Sequence, residues 1–150
     1  MLKIVTGDLF DYAAPGSIIA HGCNLQGVMN SGFAKQIRLR FPENYLAYRQ
    51  AWRERALELG SFILVNCSTH HIFNALIQVR YGRDPAIQYV EYAAVKKSLR
   101  HAADYGRAYN VPIHLPLIGG GLGGGDSTEL LHIFEEVFIH TQAVLYIQKD

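Results

Sequence analysis

The 150-residue chain is poor in the features that mark secreted, metal-binding or membrane proteins. Its two cysteines, Cys23 and Cys67, form no metal-ligand motif. No apolar stretch approaches the roughly 20 residues that a membrane span requires. The N-terminal segment "MLKIVTGDLF" is typical of a strand rather than of a signal peptide. We therefore expect one domain over residues 1–150, reduced thiols, a cytoplasmic location, and neither a metal site nor a membrane partner.

Charge is also sparse: 18% of the residues are charged and the formal net charge is +1. Such a chain has no global field that draws it to nucleic acid or to an anionic membrane, so we expect no nucleic-acid partner. The arginine-bearing stretches "RLR" and "WRER" are interpreted as solvated helix faces. No apolar repeat favours self-association, and a monomer is expected.

What the sequence does contain is an alternation of strand and helix patterns, with 49% apolar residues. Strands are predicted over residues 2–6, 17–23, 61–67, 70–78, 111–118 and 142–148. Helices are predicted near 33–41 and over 42–60, 87–106 and 126–141, with Gly60 and Gly106 as stops. This order predicts an α/β fold with helices on both faces of the sheet. Two consecutive strands without a helix between them favour a mixed sheet of about six strands.

A glycine-rich loop, "IGGGLGGGD", joins the fifth predicted strand to the last helix. Successive N–H groups without side chains can curl around an anion, and the following helix adds a favourable dipole end. No Gly-Lys-Ser/Thr follows, so this is not a Walker-type phosphate loop. The alternative is a tightly turned or flexible connection. A second loop with Gly27 and Gly32 follows another strand, and two such loops could hold one phosphorylated ligand from both sides.

The combination of these segments resembles the macro domain family. The matching stretches are "TGDLF", "IAHGCNLQGVMNSGFAKQI", "FNALIQVRYG" and "LPLIGGGLGGGD", and together they span almost the whole chain. The nearest likeness is to short macro domains that process ADP-ribose 1″-phosphate. The resemblance implies a three-layer α/β/α sandwich with ADP-ribose, or a 1″-derivative of it, across the strand ends. It implies no cofactor.

The resemblance also implies which residues contact ADP-ribose. Asp8 would accept from the adenine amino group, the two loops would wrap the diphosphate, Asn24 would face the distal ribose, and Tyr146 would pack on the adenine. The implied contacts are Asp8, Leu9, Asn24, Gly27, Val28, Met29, Ser31, Gly32, Gly119, Gly120, Gly121, Leu122, Gly123 and Tyr146. Asp8 as a turn residue, Asn24 as a loop cap and Tyr146 as ordinary core or surface are the alternatives.

Three residues are the catalytic candidates: Asp126, His21 and Asn24. By resemblance, Asp126 would activate a water that attacks the 1″ substituent, and His21 would protonate the leaving group if it points toward the site. "DSTE" is also an N-cap pattern, and a histidine in an apolar strand is more often structural. Gln78 falls near the position of a lysine in one related branch, which speaks against a lysine-dependent mechanism. The open alternatives are therefore a hydrolase, a non-catalytic ADP-ribose-binding module, and a nucleotide scaffold without ADP-ribose preference.

Overall fold

The apolar runs of the sequence form one six-stranded sheet in the computed structural model, which describes residues 1–148. The strands are β1 (Leu2–Thr6), β2 (Ile18–Asn24), β3 (Phe62–Asn66), β4 (His71–Gln78), β5 (Ile113–Pro116) and β6 (Ala143–Ile147). They are arranged in the order β1-β6-β5-β2-β4-β3. All neighbours are parallel except the edge strand β3, which pairs antiparallel with β4 through a short turn. The predicted mixed sheet is confirmed.

Helices cover both faces of this sheet. They are α1 (Leu9–Tyr12), α2 (Gly32–Arg40), α3 (Pro42–Arg53), α4 (Tyr92–Tyr109) and α5 (Ser127–Val137). Alternate strand residues belong to different cores: Ile18 and Phe73 pack in one cluster with α4 and α5, whereas Ile19 and Ile72 pack in another with α1 and α2. This period-2 division makes the three layers of an α/β/α sandwich, as expected.

Three helices were predicted with wrong bounds, and one of them, α5, ends at Val137 rather than at residue 141. Helix α3 ends at Arg53 rather than Gly60, because the chain turns at Arg55, whose φ is 57°. Helix α4 begins only at Tyr92 and continues through Gly106 to Asn110, which has left-handed dihedrals. Gly106 is a packing residue: a Cβ there would lie 3.0 Å from both Ile113 and Thr141 side-chain atoms.

The parallel pairing places the carboxyl ends of β2, β4, β5 and β6 at one edge of the sheet. The connections that leave those ends are the segments 25–31, 79–91 and 117–126. Both glycine-bearing loops of the sequence are among them. Within residues 1–148, no helix combines the length and the apolar character needed to cross a bilayer.

Candidate functional site

A cavity of about 650 Å³ opens at this edge of the sheet. One wall is the loop after β2 with the start of α2, and the facing wall is the glycine loop after β5. The segment after β4 and the end of β6 complete it. The lining comprises residues 22–24, 28–34, 77–78, 81–83, 116–123 and 146–148. The two loops predicted to hold one ligand therefore do face one cavity.

The glycine loop is a set of tight turns and not a slack connection. The N–H of Gly125 donates to the Gly119 carbonyl at 2.9 Å, and the Gly123 carbonyl accepts from the N–H groups of Tyr89 and Val90 at 2.8 and 3.0 Å. Gly124 has a φ of 75°, and a Cβ there would lie 2.5 Å from the Ile87 carbonyl oxygen. Glycine is needed because the loop is clamped against the segment after β4.

Both cavity walls present backbone N–H groups that have no acceptor among residues 1–148. In the first wall these are the N–H groups of residues 29–34, which lead into α2; its N-cap residue Ser31 makes no side-chain capping bond. In the glycine loop they are those of Gly119, Gly121 and Leu122. Unpaired donors at a helix N-terminus and in a glycine loop favour an anion.

Asn24 and Tyr48 fix the first wall. The Asn24 amide donates to the Val28 carbonyl at 2.9 Å and accepts from the N–H groups of Gln26 and Val28 at 2.9 and 3.3 Å. The Tyr48 hydroxyl, fully buried on α3, donates to Asn24, with its backbone oxygen at 2.6 Å and its side-chain oxygen at 3.0 Å. Asn24 lines the cavity, but its side chain is engaged in the loop-capping role weighed above.

His21 lies outside the cavity lining. Its Nε2 lies 2.6 Å from Asn74 Oδ1, and Asn74 in turn exchanges hydrogen bonds of 2.8 and 2.9 Å with Asn44 of α3. Burial lowers the pKa of His21 to about 4, although the Asn74 hydrogen bond raises it in part. The side chain points into this polar cluster beneath the sheet, so the condition for a proton-donating role is not met in this geometry.

Asp126 is the N-cap of α5. Its Oδ2 accepts from the Glu129 N–H at 3.0 Å, and its backbone N–H donates to the Tyr92 hydroxyl at 2.8 Å. The carboxylate is exposed and is not part of the cavity lining, although it follows directly on the glycine loop. The N-cap role, which the "DSTE" pattern also allowed for Asp126, is therefore the one seen in the structure.

The remaining predicted contacts divide into two groups. Val28, Met29, Ser31, Gly32, Tyr146 and the segment 119–123 line the cavity. Asp8, Leu9 and Gly27 do not: Asp8 caps α1 by accepting from Phe10 N–H at 3.0 Å, and Leu9 is core. Asp8 nevertheless follows β1 at the same edge of the sheet, where the Gly7 N–H donates to Ile147. The Tyr146 ring is largely buried, with its hydroxyl 2.8 Å from His114 Nδ1.

Sequence reasoning missed the contribution of the segment after β4. Arg83 is the only charged side chain in the described cavity lining, and Tyr81 lies beside it. The four residues "RYGR" (80–83) after a buried strand were the available signal. Gln78 is also in the lining, where its Nε2 donates to the Arg80 carbonyl at 2.9 Å. Within residues 1–148, that lining contains no carboxylate, imidazole or amine, and no cluster of side chains there could hold a metal ion.

Cys23 also lines the cavity, but its thiol is almost completely buried. Its Sγ lies 3.6 Å from His21 Nε2. Desolvation raises the pKa of this thiol far above its usual value. Cys23 is therefore a neutral part of the wall and not a nucleophile.

Comparison with known proteins adds to this geometry. No family model matches the chain. It is 30% identical over 134 residues to an uncharacterized 17.5 kDa protein of Enterobacteria phage T4, with 84% of this chain and 83% of that protein covered. It is 29% identical over 128 residues to a DNA ADP-ribosyl glycohydrolase of Thermus aquaticus, covering 83% of this chain but only 34% of that protein. A 73-residue stretch is 32% identical to an ADP-ribose 1″-phosphate phosphatase of Scheffersomyces stipitis, covering 43% and 42% of the two chains.

Among solved structures, the macrodomain of Mycobacterium tuberculosis DarG superposes with a TM-score of 0.84 at 25% identity, covering 97% of each chain. The macrodomain of Thermus aquaticus DarG gives 0.81 at 26% identity over 99% of each chain. The chain belongs to the macro domain family. The resemblance stated from the motifs is confirmed, and three of the four matching stretches contribute residues to the cavity lining.

Replacing Tyr48 with phenylalanine tests whether α3 holds the cavity wall of this macro domain. The change leaves two Asn24 oxygens without this buried donor, so we expect the free energy of unfolding to fall by about 1–3 kcal/mol. Chemical denaturation measures it. Tyr45→Phe on the same helix is the matched control, because the Tyr45 hydroxyl makes no hydrogen bond within residues 1–148. Equal stability of the two variants would show that the hydrogen bonds from the Tyr48 hydroxyl to Asn24 do not stabilise the wall.

Acidification tests the buried His21 cluster. Because the folded-state pKa of about 4 lies below the ordinary 6.5, the unfolded state binds more protons between these values. The contribution of His21 to the free energy of unfolding is therefore complete above pH 6.5 and is lost as the pH falls toward 4. For one group the loss is at most about 1.4 kcal/mol per pH unit.

His21→Gln should flatten this profile when urea unfolding is followed at several pH values. His114, whose pKa is also lowered by burial, supplies part of the remaining slope. His132→Gln on α5 is the control variant, and its profile should match that of the native chain. An unchanged profile in His21→Gln would show that His21 does not titrate on unfolding.

Proposed function

We propose that the chain binds ADP-ribose in the cavity between its two loops and hydrolyses ADP-ribose 1″-phosphate or a related ADP-ribosyl ester. The observation that carries the binding is the pair of facing walls whose N–H groups lack protein acceptors. A diphosphate has the charge and the acceptor oxygens to satisfy donors on both sides at once. The guanidinium of Arg83 adds one positive charge at the mouth of the cavity.

The volume of the cavity, about 650 Å³, also suits a ligand with groups on either side of a diphosphate. Tyr146 and the segment 147–148 lie near the end of β1, and Asp8 follows that strand. Because Asp8 caps α1, its carboxylate would have to turn toward the cavity to accept from an adenine amino group.

Asn24 and Gln78, which are paired across β2 and β4, also line the cavity, but the Asn24 amide is already bonded to Gln26, Val28 and Tyr48 and the Gln78 Nε2 to the Arg80 carbonyl. A ribose hydroxyl would have to share or replace these hydrogen bonds. Names of two relatives, a DNA ADP-ribosyl glycohydrolase and an ADP-ribose 1″-phosphate phosphatase, support ADP-ribose as the ligand and hydrolysis as the reaction.

In hydrolysis of the 1″-phosphate, a water oxygen bonds to phosphorus while the bond between phosphorus and the 1″ oxygen breaks. The products are inorganic phosphate and ADP-ribose, whose 1″ oxygen takes a proton from solvent. The free N–H groups of Gly119, Gly121 and Leu122 would stabilise charge that develops on phosphate oxygens. Asp126, at the end of the same loop, is the acidic candidate for activating the water. Its carboxylate must approach the cavity to do so, since in the structure it caps α5.

A second candidate function, binding without turnover, is favoured by one observation. The described lining holds no carboxylate, imidazole or amine that could act as a general base. A macro domain built this way would read or sequester ADP-ribose. Gln78 stands near the position of a lysine in one related branch, and its amide cannot form the covalent adduct that an amine forms. Neither candidate function therefore uses such an adduct.

Titration calorimetry tests the binding. We expect saturable binding of ADP-ribose and much weaker binding of ATP. Arg83→Gln should weaken ADP-ribose binding by about fivefold, because Arg83 is exposed and its charge is screened. Arg53→Gln, an equally exposed charge loss on α3, should not change it. Equal heats for ADP-ribose and ATP would instead indicate a nucleotide scaffold without preference.

Release of inorganic phosphate from ADP-ribose 1″-phosphate separates the two candidates. We expect turnover by the native chain and a loss on the order of 10²-fold in Asp126→Asn, the size of general-base assistance. Asparagine is as good an N-cap as aspartate, so stability should be kept. Glu129→Gln in the same helical turn is the control. Binding without any phosphate release would establish the second candidate, and a full rate in Asp126→Asn would remove Asp126 from the mechanism.

A further inference from the structure

A second cavity, of about 320 Å³, lies between α1, the junction of α2 with α3, and the turn that joins β3 to β4. It shares no lining residue with the cavity described above. Most of its lining is apolar and comes from Phe10, Ala13, Ile19 and Phe41. Its volume is at the lower end of the range for sites that hold small organic molecules.

Arg40, the last residue of α2, brings a positive charge to this cavity. Its guanidinium carbon lies 4.0 Å from the centre of the Phe10 ring. That ring stacks in turn on Phe33, with the ring centres 5.2 Å apart and the planes inclined by 9°. Among the ion pairs of residues 1–148, none includes Arg40. The guanidinium is therefore seated on a fixed ring, and its N–H groups are not committed to a carboxylate of the chain.

His70 adds a wall to the cavity but no second charged contact. Its Nε2 lies 2.9 Å from the Ala13 carbonyl oxygen, which can only accept, so Nε2 carries the hydrogen. Its Nδ1 then accepts from the Thr69 hydroxyl at 2.9 Å. The ring meets Phe41 edge-on, with the ring centres 5.8 Å apart. Both ring nitrogens are thus used in holding the turn against the end of α1.

The charge and the surface of this lining select the chemistry of a ligand. The described lining contains no carboxylate, so an anion meets attraction from Arg40 without opposing repulsion. A guanidinium matches the two oxygens of one carboxylate with two parallel hydrogen bonds. Inorganic phosphate could also pair with Arg40, but it would gain nothing from the apolar majority of the lining. A neutral apolar molecule would leave the guanidinium unused.

We propose that the second cavity binds a small carboxylic acid with an aromatic body. The carboxylate pairs with the Arg40 guanidinium, and the aromatic body lies against Ile19 and Phe41. A free aromatic acid and the carboxyl-terminal aromatic residue of a peptide share this chemistry. The site is separate from the ADP-ribose cavity, and the proposal does not depend on the proposed function.

Nuclear magnetic resonance of the ¹⁵N-labelled chain, titrated with phenylacetate, tests the site and locates it. We expect saturable shifts of the amide signals of Ala13, Phe41, Thr69 and His70, with a dissociation constant on the order of 1 mM for so small a ligand. Phenylacetamide has the same shape without the charge. It should bind about tenfold more weakly, because it cannot form charge-assisted hydrogen bonds through two equivalent oxygens.

Two variants of Arg40 separate its charge from its shape. Arg40→Gln should weaken phenylacetate binding by about tenfold, since the charged partner is lost. Arg40→Lys keeps the charge but not the planar fork, and its affinity should lie between those of Arg40→Gln and the native chain. Arg40 is exposed, so we expect both variants to fold. Arg53→Gln removes an exposed arginine of α3 and should change the affinity by less than about twofold.

Several results would overturn the proposal. They are the absence of saturable shifts, equal binding of phenylacetamide and phenylacetate, equal losses in Arg40→Gln and Arg53→Gln, and shifts confined to residues 119–123, which would place the probe in the other cavity. The peptide acetyl-Gly-Gly-Phe with a free carboxyl end distinguishes the sources of the carboxylate. If it binds more tightly than phenylacetate and with the same loss in Arg40→Gln, the ligand is a peptide end. If it binds more weakly, the ligand is a free acid.

Discussion

The parallel pairing of β2 with both β4 and β5 is the constraint on which the site depends. It brings the ends of these strands to one edge, with Asn24 opposite Gln78. The parallel pairing of β5 with β6 extends that edge and sets Pro116 opposite Tyr146. The loops after β2 and β5 then have to face each other. Their N–H groups can remain without protein acceptors only because they border an open cavity, since an enclosed donor without a partner would destabilise the fold.

Much of the architecture was predictable because it depends on local patterns. Each strand was visible as an apolar run, and the glycine loop was recognisable from its high glycine content. The helix ends were less predictable, since Gly106 is a glycine for packing reasons and the segment 79–91 has no periodicity at all. That segment nevertheless clamps the glycine loop through Tyr89 and Val90 and supplies Arg83 to the site.

The catalytic candidates show a different limit of sequence reasoning. A residue next to a ligand-binding loop can be turned away from it, and one-dimensional order does not say so. His21 shares its strand with Asn24 but joins a polar cluster below the sheet, and Asp126 follows the glycine loop but caps the next helix.

The buried thiol of Cys23 has a consequence for the durability of the binding wall. Oxidants and electrophiles attack the thiolate, and the environment of Cys23 keeps that form scarce. A sulfenic or sulfinic group at this position would introduce new polar bulk into a closely packed layer containing Met29 and Leu76. Because the surrounding apolar side chains disfavour the thiolate, the Cys23 sulfur should react with oxidants more slowly than an exposed thiol.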